Sequence, residues 1–371
     1  VRSGIGSLLA ALRSRDPVLV VCSDIRVGLP TGSDESAQGD GAAAILVGEE
    51  GHGRVIAEHL GSASRTGEFI DRWRTPGDPA SKQWEERFGE FAYGPLVEAA
   101  VTDTLKAAGL TAGELDHVVV AGLHGRAAKA AVKTIGARPE AYADDLSSAV
   151  GNPGIAQALL VLADVLDRAE PNQTIAVVQL ADGCDVWLLR TTDAIAAFRP
   201  AATVRAQVEA TRDDLGYQQF LTWRGFLRRE PPRRPEPERP ASPPSLRTNA
   251  WKYGFYGSRD EGGFVHLPPA RVSMGSGEID HMDPVRMADV KATIATYTVD
   301  RLAYSLSPPV VAVVIDFDGG GRFQCELTDA DPASVKIGDR VEMSFRRLYT
   351  QDGIHNYFWK ARPIRGAAKE G

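Results

Sequence analysis

Residues 154–166 read GIAQALLVLADVL, a helix-length run that is apolar on nearly every side. A helix with no polar face cannot border water, so the fold around it must be layered on both sides. Asn152 and Pro153 stand at its start, where Asn is a good N-cap and Pro a good first helical residue; capping alone would explain both. Upstream, residues 116–121 (DHVVVA) form the short apolar run of a buried strand, followed by a turn with His124 and a further helix. A histidine at a strand tip and an asparagine at the mouth of a buried helix can both donate hydrogen bonds to one reacting carbonyl oxygen. His124 and Asn152 are therefore the candidate catalytic pair, although a lone histidine at such a turn is ordinarily a surface or capping residue.

The buried helix has a counterpart. GIGSLLAAL at residues 4–12 matches GIAQALLVL at 154–162 at Gly, Ile and two Leu positions. Each is followed by a pair of strand-like runs: VLVVCSD and AAAILVG after the first, TIAVVQLA and DVWLLR after the second. Such a match at constant offset reads as an internal duplication, hence a layered α/β domain with two similar halves. The first half begins at its helix, with its earlier strands absent. Between the halves, residues 33–41 read as loop, RVIAEHLGSAS as a strand, and residues 84–109 as an amphipathic helix with Phe91, Leu96, Val97 and Ala100 on one face. Asp182-Gly183-Cys184 is a turn between two strands.

Composition excludes several classes. With 42 basic and 49 acidic residues the net charge is −7, which gives no electrostatic basis for nucleic-acid binding. No apolar run approaches the roughly 20 residues of a membrane span. Cys22, Cys184 and Cys325 are too scattered for a disulfide framework and suit a reducing, cytoplasmic setting. Val1 opens straight into what reads as a mid-domain helix rather than a leader peptide, which suggests an incomplete chain.

VLVVCSD, GDGAAAILVG, AGLHGR, VGNPGIAQALLVL and LADGC together resemble the thiolase superfamily, specifically its hydroxymethylglutaryl-CoA synthase and ketoacyl synthase III branch, over about residues 1–200. The resemblance implies a duplicated five-layer α/β fold. It also implies a Cys nucleophile at the start of the first buried helix, with a His and an Asn from the second half, which His124 and Asn152 match. The thiolate would take up an acyl group from acyl-CoA, while His and Asn stabilise the thioester oxygen. The Cys has no match: its place falls at Val1 or just ahead of it. Cys22 in a strand, Cys184 in a turn and Cys325 in the far domain cannot replace it. Arg126 and Lys129, one helical turn apart beside His124, are candidates for CoA phosphates, although such a pair is ordinarily a solvated basic face. Gly183 in its turn is the third candidate for substrate contact.

The character of the chain changes after residue 202. Residues 203–227 read as a helical extension and 228–246 (RREPPRRPEPERPASPPSL) as a Pro-rich, semi-extended linker. Residues 290–365 carry five short strand-like runs, from ATIATYTVD to NYFWKARP, which suggests a small all-β barrel of OB type. GFYGSR, VHLPPARV, TVDRLAYS and VVAVVIDFDGGGRF resemble the acyl-CoA-associated OB-fold family that carries a rubredoxin-like zinc ribbon ahead of the barrel. Family ribbons hold zinc by two Cys-x-x-Cys knuckles. In residues 247–289 those positions read Arg259-Asp260-Glu261-Gly262 and Ser273-Met274-Gly275-Ser276, so no structural zinc and no other cofactor is expected, and His266 alone could not hold a metal.

The fold expected is thus a thiolase-like α/β layered domain with an incomplete first half, followed by an OB-fold barrel. Two functional classes follow from the resemblance. One is an acyl-CoA condensing or acyl-transfer enzyme whose nucleophile lies on preceding sequence. The other is a non-catalytic acyl-CoA-binding scaffold, with a Cys-independent retro-aldolase as a further alternative. Either implies acyl-CoA as ligand, a thiolase-type partner and a homo-oligomer, with no nucleic acid and no membrane.

Overall fold

A computed structural model describes residues 2–230 and 233–364. The chain falls into two compact units, Val1–Thr211 and Arg212–Gly371.

In the first unit, helix α1 (Ser3–Ala11) leads into strands β1 (Val18–Ile25) and β2 (Asp40–Val47), joined across the short helix α2 (Ser33–Ala37). The two strands pair antiparallel, with Val18 opposite Val47 and Ile25 opposite Asp40. Residues 33–41, which read as loop, are thus partly helical: Asp34 and Glu35 occupy the first turn of α2, where acidic groups favour a helix. Next come β3 (Ala57–Thr66), the two-residue strands β4 (Arg72–Trp73) and β5 (Lys82–Gln83), helix α3 (Glu86–Ala108), β6 (His117–Gly122) and α4 (Gly125–Ile135). The unit closes with α5 (Gln157–Leu166), β7 (Thr174–Leu180), β8 (Gly183–Thr191) and α6 (Val204–Glu209). A four-stranded sheet runs β3-β8-β7-β6, in which only β6 and β7 are parallel.

The two-residue period of this sheet sorts its side chains into separate cores. Val119, Ala121, Ile175, Val177, Trp187 and Leu189 face α1 and α5. Val118, Ala176, Val178, Leu180, Val186 and Leu188 face α3 and α4. From β1–β2 inward the order is therefore hairpin, the helix pair α1 and α5, the four-stranded sheet, and the helix pair α3 and α4. The helices of the inner layer meet where Gly4 lies against Ile155; a Cβ on Gly4 would stand 3.1 Å from Ile155 Cγ1 and 3.2 Å from Cys22 Sγ. The α1–β1–β2 and α5–β7–β8 pieces repeat the same helix-then-hairpin order, as the sequence match implies.

The outer layer departs from expectation. The nearly continuous apolar run of β1 reads as a buried strand, yet Leu19, Val21 and Ile25 are 61%, 61% and 69% exposed, as is Leu46 of β2 at 70%. Among the described residues, only the Val20 and Cys22 face has a layer packed on it. On α3, Phe91 is 82% exposed while Tyr93, Val97, Ala100 and Val101 are buried. Phe91 and Tyr93 stand two positions apart, about 200° around a helix, so the two cannot share a face.

The region read as one helical extension, 203–227, is divided between the units. α6 packs on α5, with Arg205 Nε 2.8 Å from the buried Asp164 and the Val204 N–H donating to Asp167 at 2.7 Å. Helix α7 (Tyr217–Trp223) belongs to the second unit. Of the Pro-rich segment, Pro231 and Pro232 lie outside the described residues. Its end is not extended, because Ser242–Arg247 forms helix α8, with Pro in its first turn where the missing N–H is harmless. Helix α9 (Asn249–Gly254) precedes a three-stranded sheet of β9 (Tyr256–Asp260), β10 (Val265–His266) and β11 (Met282–Arg286).

A closed barrel follows, made of β12 (Ala292–Asp300), β13 (Val310–Phe317), β14 (Arg322–Leu327), β15 (Arg340–Gln351) and β16 (Ile354–Pro363) in the order β12-β13-β14-β16-β15. These are the five runs read from the sequence. β13 shows why: its residues alternate between half-buried and buried along the whole strand. The β13–β14 connection uses Gly319, Gly320 and Gly321 at φ 79°, 108° and 98°, conformations that other residues rarely adopt. No helix among the described residues is long and apolar enough to cross a membrane.

Candidate functional site

The strand-to-helix turn after β6 places His124 as the N-cap of α4. Its Nδ1 accepts the Ala127 N–H at 3.1 Å, so the ring proton sits on Nε2. That Nε2 is buried and has no hydrogen-bond partner among the described residues. It lies against α3 at Gly89, where a Cβ would come within 2.2 Å of it. Gly89 is therefore what lets the helix pass the imidazole.

Asn152 reaches the same end of β6 by another route. Its Nδ2 donates to Gly122 O at 2.7 Å and to Gln157 Oε1 at 2.8 Å, and its Oδ1 accepts the Gly154 N–H at 2.9 Å. Every polar atom of the amide is thus occupied within the protein. The start of α5 also differs from expectation. Gly154 has φ 58°, so regular helix cannot begin at Pro153; a tight 3₁₀ turn, Gly154–Ala156, intervenes. Asp24 supplies a carboxylate oxygen 3.4 Å from the Ile155 N–H at this positive end of the helix. The fold gathers His124 and Asn152 around the last residues of β6, but each faces its own set of partners.

Beside them opens a cleft of about 360 Å³ lined by Asp24, Arg26, Asp34, Asp71, Arg72 and Tyr93, together with Leu123, Ala181 and Asp182. Leu123, rather than His124, forms its wall there. Arg26 and Arg72 share the carboxylate of Asp34, Arg26 at 3.2 Å. Arg26 also donates to Asn152 O at 3.0 Å, which ties the cleft to the α5 turn. Burial lowers the Arg26 pKa, with Asp34 opposing the shift. Tyr93 donates its hydroxyl to Asp71 at 2.9 Å, and its ring centre lies 6.2 Å from that of His124. Burial, then the Asp71 charge, raises the Tyr93 pKa far above that of a free phenol. Tyr93 is thus held protonated, with its one hydroxyl proton given to Asp71.

The remaining predicted residues sit apart from the cleft. Arg126 and Lys129 are exposed on α4. Gly183 is buried, paired with Thr66 of β3; a Cβ on it would stand 2.1 Å from Arg65 O and 2.9 Å from Arg2 Nη1. What Gly183 admits is first the Arg65 carbonyl of the neighbouring strand; beside it Arg2 donates to Asp185 at 2.8 Å and to Asp182 O at 2.9 Å. The position of the expected nucleophile, Val1, lies outside the described residues. Cys22 and Cys184 are buried in the two cores, and burial pushes Cys184 up to about 12 and raises Cys22. Cys325, in the barrel, is likewise pushed up to about 12 by burial. None of these thiols lines the cleft or is a thiolate at neutral pH.

The Arg26, Asp34, Asp71, Arg72 and Tyr93 constellation is not apparent in the sequence. Its members come from a β-strand exit, a two-residue strand, a short helix and the middle of a long one, with no shared spacing. The polar segment around Trp73 is the single local hint.

In the second unit, the expected knuckle positions close on each other without thiolates. Asp260 Oδ2 accepts from Ser273 Oγ at 2.5 Å and from Ser276 Oγ at 3.1 Å, and its Oδ1 accepts the Phe264 N–H at 2.7 Å. Ser273 Oγ in turn accepts the N–H groups of Gly275 and Ser276, both at 3.0 Å, and lies 3.4 Å from His266 Nε2. One carboxylate and two hydroxyls already engaged in hydrogen bonds do not fit a tetrahedral thiolate-bound zinc. No group of three or more His, Cys, Asp or Glu side chains suited to a metal occurs among the described residues.

Comparison with known proteins agrees with this two-part architecture. Residues 284–346 match the family ChsH2, C-terminal OB-fold domain. The first part is similar to hydroxymethylglutaryl-CoA synthase of Aeropyrum pernix, 30% identical over 213 residues that cover 56% of this chain and 58% of that one. The second is similar to a DUF35 domain-containing scaffold protein of Methanothermobacter thermautotrophicus, 37% identical over 57 residues, 15% of this chain and 43% of that one. Among solved structures, MvaS in complex with 3-hydroxy-3-methylglutaryl coenzyme A aligns at a TM-score of 0.41 and 20% identity, covering 52% of this chain and 58% of that one. The chain is a thiolase-like protein joined to an OB-fold domain. Its thiolase-like part is homologous to hydroxymethylglutaryl-CoA synthases, of which it spans 58% of the Aeropyrum pernix protein and 60% of the Picrophilus torridus one.

Proposed function

We propose that the chain binds an acyl-CoA through the cleft beside Tyr93 and Leu123, and that it acts there as a binding scaffold rather than as a self-sufficient condensing enzyme. The observation that carries this reading is the state of the site. The hydroxymethylglutaryl-CoA synthase relationship supports a thioester-handling centre at the end of β6, yet Asn152 spends its amide on Gly122, Gln157 and Gly154, and no described thiol reaches the cleft. Tyr93 gives its one hydroxyl proton to Asp71, and the unpartnered N–H of His124 is buried against α3, so neither stands ready to stabilise a thioester oxygen in the cleft. The resemblance of the second part to DUF35 scaffold proteins supports a thiolase-type partner that supplies the chemistry. A ribbon closed by Asp260, Ser273 and Ser276 supports a metal-free second unit. Homo-oligomerisation and a cytoplasmic site belong to the same proposal.

The test is mass spectrometry of the intact chain after incubation with acetyl-CoA. The scaffold reading expects an unmodified mass. An acetylated chain, with the label lost in hydroxylamine as a thioester is, would overturn it in favour of an acyl-transfer enzyme. The second reading, in which preceding sequence supplies the nucleophile, rests on the synthase relationship itself; a longer chain that acetylates where this one does not would establish it.

A further inference from the structure

In the second unit, residues 235–240 of the Pro-rich segment form neither helix nor strand. Each Pro fixes its own φ, and Arg234, Glu236 and Arg239 each precede a Pro, which biases them toward the same extended conformation, the polyproline II helix. That helix has three residues per turn, so Pro237 and Pro240 share one face. Those two prolines are half-buried, while the six other residues between 233 and 240 are exposed.

Two half-buried tyrosines of the barrel hold this stretch. Tyr349 of β15 donates its hydroxyl to Glu238 O, a carbonyl between the two prolines, at 2.8 Å. Tyr304, in the loop between β12 and β13, donates to Glu236 Oε1 at 3.2 Å. Burial, then Glu236, raises the Tyr304 pKa, which keeps that hydroxyl a donor at neutral pH. β15 carries a bulge between Arg347 and Tyr349, an irregularity of the kind that re-aims a side chain. Upstream, Arg229 donates to Gln219 Oε1 at 2.9 Å and Gln219 Nε2 to Leu306 O at 2.6 Å, which ties α7 to the same loop; downstream the segment runs into α8. A connection that only had to reach from α7 to α8 needs neither the three-residue register nor the hydroxyl on the intervening carbonyl. Both belong to the way aromatic grooves take up proline-rich peptides. We propose that the Tyr304 and Tyr349 face of the barrel is a polyproline-binding groove, closed in cis by the strap Arg234–Pro240. The partner it fits is a proline-rich segment of another protein with the strap's own pattern, Arg-x-x-Pro-x-x-Pro. The strap shows which chemistry the groove accepts, and two hydroxyl contacts and two half-buried prolines are few enough for a competitor to displace it.

Fluorescence anisotropy of the whole chain with a labelled peptide of residues 233–241, RRPEPERPA, tests it. Pro237→Gly combined with Pro240→Gly robs the cis strap of its stiffness and its buried face, so this chain should bind the peptide saturably. Wild type should bind it at least about 10-fold more weakly, because its own strap competes at high effective concentration. Tyr349→Phe added to the glycine variant keeps the ring and removes the hydroxyl; it should weaken peptide binding about 2- to 10-fold, the worth of one neutral hydrogen bond. The peptide RRPEAERAA, which lacks the two facing prolines, should bind at least about 10-fold more weakly than RRPEPERPA. Should the glycine variant fail to fold, Tyr349→Phe alone reads the same contact: trypsin cleavage after Arg233 should run about 2- to 10-fold faster than in wild type, as the released strap is more populated. The proposal is overturned if the folded glycine variant binds no peptide, if wild type binds it as tightly, if the alanine peptide binds equally well, or if Tyr349→Phe changes neither affinity nor cleavage. On size-exclusion chromatography the glycine variant should elute as wild type does; a changed oligomeric state would seat the strap on a second copy and overturn closure in cis.

Discussion

Replacing Asn152 by Ala separates a structural asparagine from one held ready for a ligand. The side chain makes three hydrogen bonds, to Gly122 O, Gln157 Oε1 and the Gly154 N–H. At about 1 kcal/mol net for each, their loss should cost about 3 kcal/mol. Gly122 O and the Gln157 side chain, both in the buried end of β6 and α5, would keep unmet demands that the smaller Ala cannot satisfy. For a unit of this size, 1 kcal/mol corresponds to about 2–4 °C in Tm, so the first unit should melt about 6–12 °C lower. Differential scanning calorimetry of the intact chain reads this directly, because the barrel unit supplies an internal reference that should not move. An Asn152→Ala chain that melts with wild type would refute the reasoning. The amide would then be doing nothing for the fold, and the case for Asn152 as a ligand-facing donor would return.

The packing yields three further expectations. Arg205→Leu strands the fully buried Asp164 with only Arg168, 3.5 Å away, and should cost about 3 kcal/mol in urea unfolding; little change would show that Asp164 does not need its partner. On α3, Gly89→Ala should lower Tm because its Cβ would collide with His124. Gly94→Ala, with nothing within 4 Å, should instead gain about 0.5–1 kcal/mol, and equal effects would contradict the placement of His124. In the second unit, hydrogen bonds from Ser273, Phe264 and Ser276 hold the Asp260 carboxyl below its ordinary range. A depressed carboxyl stabilises the fold above its unfolded pKa, about 3.9, and the stabilisation fades as pH falls through the lower folded value. The barrel unit's Tm should therefore drop more steeply below about pH 4 in wild type than in Asp260→Asn, and parallel slopes would deny Asp260 this role.

Periodicity makes much of the fold legible. The five barrel strands, the all-apolar helix α5 and its counterpart α1 are each marked by a repeat of hydrophobic residues that packing honours. On β1 the same signal misleads: VLVVCSD is apolar on both faces, but Val20 and Cys22 are buried while Leu19 and Val21 are exposed. Composition also hides α2, because SDESA carries loop residues that serve equally well in a helix's first turn. At the site, His124 and Asn152 are found from single positions beside recognisable elements. What no local pattern conveys is that Arg26, Asp34, Asp71 and Tyr93 converge, or that Asp260 takes up the hydroxyls of Ser273 and Ser276 across 13 and 16 residues. Those relations exist only once the chain has folded.

The most direct measurement is calorimetric titration of acetyl-CoA into the wild-type chain and into Ala181→Phe, which projects a ring into the cleft beside Tyr93 and Asp182. The proposed function predicts a saturable isotherm with one acetyl-CoA per chain and its loss in the folded variant. An absence of binding to wild type, or binding that Ala181→Phe leaves intact, would contradict it.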